Sequence, residues 1–471
     1  MNQTAEQPRR FLNAIVAWTA GVALALGIFD LFSARSDLAR RGWLVSNGDR
    51  LARPPIYGQF APHITRWVLA AIGVALVAGG LAWLAGRPRF DRRAFLAATT
   101  LVFFGFATAV AFVAGDRVEA SIGMRAEPDA RVVDEIGLRT FVRDYPELVG
   151  EQVHSVHSLT HPPGRPILAW VLGKAFGDHP LAKSVAVAAL SSLVIIPAWL
   201  LAREKHGERA AQYAVALLAT APGPILFAFA SFEALEAVAL VTAGWLFVRS
   251  LRGAGDPRWA AAAGAVLGGT MFFTYSAAIV GAFLGLYAIL TKPRATVVRV
   301  LGGATAGGLG ALALLYVALG FDPFATSTGT RRFNAALGPC PDPPPPGTGP
   351  CTLPRSYRYW LAGAPAGWLT LAGVPLAALS LRELIAGRSR FLAAMILPNL
   401  VLYVLPRDVT GLLAGELERT VLWAYPFVAA AVAPTLERVS GERAGRALIV
   451  ALALCGAAQA ITIEGLYRTG W

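Results

Sequence analysis

Charge is scarce in this chain: Asp, Glu, Lys and Arg together make up 15% of its 471 residues, where a soluble domain carries about 25%. Cysteine is scarcer still, and three in this length exclude a disulfide-dense secreted scaffold. The lack of polar and charged residues also excludes a disordered chain and a coiled coil. Carboxylates are outnumbered 29 to 42 by Lys and Arg, which leaves a net charge of +13. On a soluble protein that surplus would suggest nucleic acid. Here mean hydropathy is +0.53, and the 55% of apolar residues gather in repeated runs of about 16 to 24, the length that crosses a bilayer core of about 30 Å. The reading is an all-α polytopic membrane protein. Its basic excess is then a topology signal with contacts to membrane lipids, and no nucleic acid is expected as a partner.

The first apolar run, 11–32, follows Arg9 and Arg10 and is too long for a signal-peptide core, so it reads as an uncleaved anchor with a cytoplasmic N-terminus. Further runs lie near 66–86, 94–115, 181–202, 210–228, 233–248, 259–274, 276–291, 300–320, 361–381, 391–406, 420–436 and 447–463. That makes about thirteen spans, in a range of 11–13. Alternation places the basic connections 87–93, 203–209, 249–258, 292–299, 382–390 and 438–446 inside, and with the N-terminal pair they hold half of all Lys and Arg. The segment 33–66 fits less well, because it would be outside with six arginines. Three long segments fall on the external face: 115–180, 321–360 and 407–419. The chain thus divides into two N-terminal spans and their loop (1–93), a core (94–320) with an external loop at 116–180, and a C-terminal part (321–471).

The polar chemistry concentrates in those external segments. Cys340 and Cys351 flank CPDPPPPGTGPC, where an oxidising compartment permits a disulfide; Cys455 lies mid-span and reads as packing. Four of the six histidines, His154, His157, His161 and His179, fall between residues 154 and 179. Upstream lie the adjacent carboxylates Asp134 and Glu135, an acidic group at Asp144, Glu147 and Glu151, and Arg139 and Arg143, with Arg165 after the HPPG turn 161–164. Pro162 and Pro163 block helix continuation and Pro166 suits a first helical turn, so His161 sits at a helix entrance.

Three readings compete for this cluster. It is a solvated loop of paired charges, a metal site from His154, His157 and His161 at helical spacing, or a general base with cations that receive a phosphate. Prolines oppose a continuous helix through His161. The turn FASFEAL puts Glu233 and Glu236 at a helix start, which the macrodipole alone explains as well as function does. Ahead of a later apolar helix stand Arg407, Asp408, Glu416, Glu418 and Arg419. Charges at a membrane boundary that face a bundle are functional more often than those on a soluble surface.

In their order these residues resemble the polytopic GT-C glycosyltransferases that use lipid-phosphate sugars, and within them the bacterial relatives of protein O-mannosyltransferases and aminoarabinose transferases. The resemblance rests on Asp134–Glu135 in a long external loop, FVRDY followed by HSLTHPPG, the break at SFEAL, FFTYSAA at 272–278, and GELERTVLWAYP at 415–426. It implies a GT-C-like helical bundle whose first large external loop forms interfacial helices. It implies Asp134, with Glu135 a close second, as catalytic base or ligand of a divalent cation, Mg2+ or Mn2+. It puts His161 and Arg165 near the donor phosphate and Glu416 and Arg419 in contact with lipid phosphate or sugar. Glu233, counted with the donor phosphate and sugar-binding residues, stands where relatives often carry Asp.

The expected reaction is transfer of one sugar from a polyprenyl-phosphate donor to an extracytoplasmic glycan, lipid or protein, with inversion. Asp134 or Glu135 would take the acceptor proton, and Arg139, Arg143, His154, His157, His161, Arg165 and Arg419 would meet the leaving phosphate. Rival readings are a flippase for lipid-linked sugar, an oligosaccharide ligase or polymerase, and a non-catalytic assembly subunit. The flippase would need mid-membrane polar residues or inverted repeats, neither of which is evident. The Ala, Arg and Gly bias hints at a GC-rich bacterial genome, hence an inner-membrane setting.

Overall fold

The structure, a computed structural model, describes residues 3–35, 58–87, 91–115, 123–149, 151–153, 158, 161–177, 179–229, 231–336, 357–404, 420–441 and 443–469. It opens with α1 (Gln3–Arg35), β1 (Gly58–Phe60), α2 (Trp67–Leu84) and α3 (Arg92–Ala111), followed by four helices before the next long hydrophobic stretch: α4 (Gly123–Ile136), α5 (Leu138–Arg143), α6 (Tyr145–Leu148) and α7 (Gly164–Phe176). The core continues through α8 (Pro180–Ser192), α9 (Ile195–His206), α10 (Glu208–Leu218), α11 (Pro222–Ala228), α12 (Phe232–Ser250), α13 (Pro257–Thr270), α14 (Ser276–Thr291) and α15 (Arg294–Leu319). Then come α16 (Pro323–Ala336), α17 (Tyr357–Ala372), α18 (Val374–Ile385), α19 (Arg390–Val404), α20 (Ala424–Val439), α21 (Arg443–Leu466) and β2 (Tyr467–Thr469).

The expected all-helical membrane architecture is present, and the loop after α3 forms short helices as the resemblance implied. Six helices among the described residues are long and apolar enough to cross a membrane, or up to eight when two bent pairs each count as one span. The expected thirteen is therefore not confirmed. Several expected spans fall short for physical reasons. α12 begins with the carboxylates Glu233 and Glu236, α14 is only 16 residues long, and two apolar runs are bent, by 60° between α10 and α11 and by 115° between α17 and α18. The second bend sits at Gly373, whose φ of +82° suits glycine, followed by Pro375 in the first turn of α18.

Small residues set the helix spacing. A Cβ at Gly264 would lie 1.8 Å from the Ala304 carbonyl oxygen, and one at Gly307 would lie 1.9 Å from that of Ala261. α13 and α15 therefore touch backbone to backbone, the contact that small residues four apart permit between membrane helices. α15 turns Leu309, Leu314 and Val317 outward, as α2 does Leu69 and Leu76. Lipid is the solvent that makes such exposure favourable. At the centre, α20 is buried nearly along its length, and the Phe427 ring meets Phe283 edge-on at 5.2 Å.

The two ends of the bundle differ in charge. At one, the basic connections contact each other: Arg252 pairs with Glu204, Arg299 donates to the Ala254 carbonyl at 3.0 Å, and Arg382 and Arg438 lie over the Phe11 ring at 4.7 and 5.6 Å. At the other, β1 pairs antiparallel with β2, and the Thr65 hydroxyl donates to the Phe112 carbonyl at 2.9 Å. Residues 58–65 thus sit at the end opposite the basic connections, and residues 36–57 of the segment 33–66 lie outside the described residues.

Candidate active site

The described parts of FVRDY, HPPG and FFTYS meet at this second end. A small core of its own joins them: Val133, Phe141, Tyr145, Phe272 and Phe321 are buried together, with Phe272 edge-on to Phe321 at 5.1 Å. Helix α7 is docked by its first residue. The Gly164 N–H donates to the Phe272 carbonyl at 2.9 Å, and a Cβ at Gly164 would come within 2.4 Å of that same oxygen. The HPPG turn therefore needs glycine in order to seat its helix against FFTYS.

That docking carries Arg165 into the interior. Its Nε and Nη2 donate to the two Glu236 oxygens at 2.8 and 3.0 Å, and its Nη1 donates to Glu233 Oε1 at 3.0 Å. All three side chains are buried, 3% exposed for Arg165 and 7% for each glutamate. Ser231 caps α12 and donates its hydroxyl to the other Glu233 oxygen. A planar guanidinium suits this fork-to-carboxylate geometry, and burial makes each partner depend on the others. Arg165, expected near a donor phosphate, is fully engaged by protein carboxylates in this structure.

Asp134 and Glu135 lie on the opposite, wetter face. Both are exposed. Asp134 Oδ1 accepts from the Trp170 indole N–H at 2.6 Å and pairs with Lys174 Nζ at 2.9 Å. The Trp170 hydrogen bond, then that of Lys174, holds this carboxyl below the usual carboxylate range against a small opposing desolvation. Five residues earlier on the same helix, Asp129 is 1% exposed. It faces the Tyr145 phenol, which burial first, and then the Asp129 charge, pushes well above its ordinary range. Tyr145 donates to the carbonyls of Ser158 at 2.6 Å and His161 at 3.1 Å, so it pins the histidine turn to α6.

The other expected residues separate. His161 is half-buried beside Tyr145, whereas Arg139 is exposed on α5. Arg143 is exposed and bound in a fork by Asp144 at 2.6 and 2.8 Å, which keeps Asp144 ionised below its usual range. His154, His157, Glu416, Arg419, Cys340 and Cys351 lie outside the described residues. Among the described residues no group of three His, Cys, Asp or Glu is arranged to hold a metal ion. The Lys174 ammonium stands against Asp134 where a divalent cation would need further oxygen ligands, so the described residues by themselves do not make a Mg2+ or Mn2+ site. Sequence reasoning missed Asp129, Trp170 and Lys174 as members of the site. It noted Glu236 without assigning it to the site; its spacing from Glu233 on one helix face was the available signal.

Comparison with known proteins follows this geometry. No curated protein sequence matches the chain. Among solved structures it is similar to ArnT from Cupriavidus metallidurans in the apo state, at 17% identity and a TM-score of 0.48, covering 73% of this chain and 60% of that one. The apo oligosaccharyltransferase of Archaeoglobus fulgidus gives 14% identity and a TM-score of 0.44 over 81% of this chain and 57% of that one. AglB from the same organism, in complex with an inhibitory peptide and a dolichol-phosphate, gives 15% and 0.40 over the same shares. The chain thus spans 57% to 60% of these proteins' length. The family model described as dolichyl-phosphate-mannose-protein mannosyltransferase matches residues 160–321, the segment that runs from the HPPG turn through SFEAL and FFTYS.

Proposed function

We propose that the chain is a membrane glycosyltransferase of the GT-C type, moving one sugar from a polyprenyl-phosphate donor to an extracytoplasmic glycan, lipid or protein with inversion. The observation that carries this is the family match over 160–321, which includes the residues that Gly164, Arg165, Glu233 and Phe272 bring into contact. The setting is a bacterial inner membrane with the N-terminus and basic connections in the cytoplasm.

In this reading Asp134 is the base. Trp170 and Lys174 keep it ionised through Oδ1, and Oδ2 takes the acceptor hydroxyl proton as the acceptor oxygen bonds to the sugar C1. The bond from C1 to the phosphate oxygen breaks, and the lipid phosphate leaves with the electron pair. Glu135 is the alternate base. Arg139, Arg143 and His161 at this end, with His154, His157 and Arg419, meet the departing charge, and Glu416 contacts the sugar. Arg165, Glu233 and Glu236 position α7 against α12, and no step passes through a metal ion.

The test is release of free polyprenyl phosphate from a panel of polyprenyl-phosphate sugars by the purified protein in nanodiscs, with acceptor extract. Release should fall at least about a hundredfold in Asp134→Ala and be insensitive to EDTA. Wild-type-like release by both Asp134→Ala and Glu135→Ala would overturn the assignment of the base. Binding of donor without release would point instead to a transporter or assembly subunit.

A further inference from the structure

At the basic end of the bundle, far from Asp134, a cavity of about 620 Å³ opens between the connection after α2 and the start of α10. Arg87, Arg92, Arg93 and Arg209 line it. Two carboxylates share it. Asp91 caps α3 by accepting from the Ala94 N–H at 2.8 Å, and Glu208 sits in the first turn of α10 within the fields of Arg92 and Arg203. Four guanidinium groups against two acids leave a cationic hollow. Among the described residues no carboxylate forms an ion pair with Arg87, Arg93 or Arg209.

Two tryptophans stack under arginines of this end. Arg87 and Arg446 lie over the Trp83 ring at 5.6 Å each, and Arg92 and Arg203 lie over Trp199 at 5.6 and 4.5 Å. Trp rings with Arg above them sit at the headgroup level of a bilayer. Leu76 and Val77, on the helix that ends at this cavity, are exposed and suit acyl chains. Inside the hollow Gln212, 4% exposed, accepts from the Gly86 N–H at 2.5 Å and fixes the end of α2 against α10.

We infer that this cavity is a binding site for the phosphate of an anionic phospholipid in the leaflet at the basic end, distinct from the donor site and independent of the reaction proposed above. Guanidinium groups bind phosphate oxygens through paired N–H donors. Exposed apolar surface on the same helix, about 15 Å along it from the cavity, is at the depth of acyl chains below a headgroup and favours a phosphate that carries them over a free ion.

Native mass spectrometry of the full chain in detergent, titrated with phosphatidylglycerol against phosphatidylcholine, tests this. The wild type should retain phosphatidylglycerol at a saturable stoichiometry of about one. An Arg87→Gln/Arg93→Gln/Arg209→Gln variant should bind it on the order of a hundredfold more weakly, since each arginine near the surface is worth about fivefold. The Lys triple at the same positions should recover only part of the affinity, because it restores charge without the paired donors. A control triple at Arg258, Arg294 and Arg388 should leave binding unchanged. Equal loss in the control, no loss in the Gln triple, or displacement of the lipid by inorganic phosphate would each overturn the inference.

Discussion

At the scale of single residues, the two carboxylates five positions apart on α4 have opposite fates. Asp129 is buried and Asp134 is exposed, as a rotation of about 140° around a helix requires. The Asp134 pKa is lowered by Trp170 and Lys174, so its ionised form is favoured in the folded protein. Whatever that pairing contributes is present above the ordinary carboxylate pKa and is lost as pH falls through the lowered one. Polyprenyl phosphate release should therefore be flat from about pH 5 to 7 with respect to this group, with its acid limb below the usual carboxylate range. Trp170→Phe removes the largest cause and should move that limb upward; a pH–rate profile of the two proteins decides it, and an unmoved limb would separate the limb from Asp134. Arg165 makes a different prediction. Arg165→Ala strands two buried carboxylates and should cost about 3–5 kcal/mol, seen as a large drop in the detergent melting temperature. Glu236→Gln leaves a one-to-one pair of Arg165 with Glu233 and should cost much less.

At the scale of elements, the approach of helix to helix is limited by what the glycines lack. Gly164→Ala places a methyl 2.4 Å from the Phe272 carbonyl and 2.6 Å from the Phe273 ring. Overpacking of this kind costs typically about 1–3 kcal/mol. The lever is longer than that number suggests, because α7 carries Arg165 into the interior and Trp170 and Lys174 to Asp134. Release should fall more than melting does, and the reverse ordering would make Gly164 a packing residue only. The sequence made the order of these motifs legible and left their meeting hidden. HPPG and SFEAL could be read as helix boundaries from proline chemistry and a helix-start carboxylate, while FFTYS entered only through the resemblance. Which boundary touches which is decided by packing between residues about 70 to 110 positions apart, and periodicity carries no such information. Trp170 and Lys174 were invisible for the same reason: they read as one apolar and one basic residue of an ordinary helix.

At the scale of the whole molecule, what the composition conveyed most clearly was polarity of the bundle along its axis. Basic connections gather at one end, and the motif segments, the β1–β2 ladder and the short helices of 123–176 gather at the other. The span count was less legible. An apolar run interrupted at 219–221 or at Gly373 has the composition of a single straight helix but bends by 60° or 115°. Glutamates at the head of α12 look like a boundary charge until Arg165 is seen to neutralise part of them. Sidedness follows from the charge segregation and is open to direct test. In a variant with Cys340, Cys351 and Cys455 replaced by serine, Arg388→Cys sits at the basic end and Glu147→Cys at the other, and both positions are exposed. A membrane-impermeant maleimide applied to intact cells should label Glu147→Cys and spare Arg388→Cys until the membrane is permeabilised. The opposite pattern would invert the protein in its membrane and put Asp134 in the cytoplasm, where an extracytoplasmic acceptor has no access.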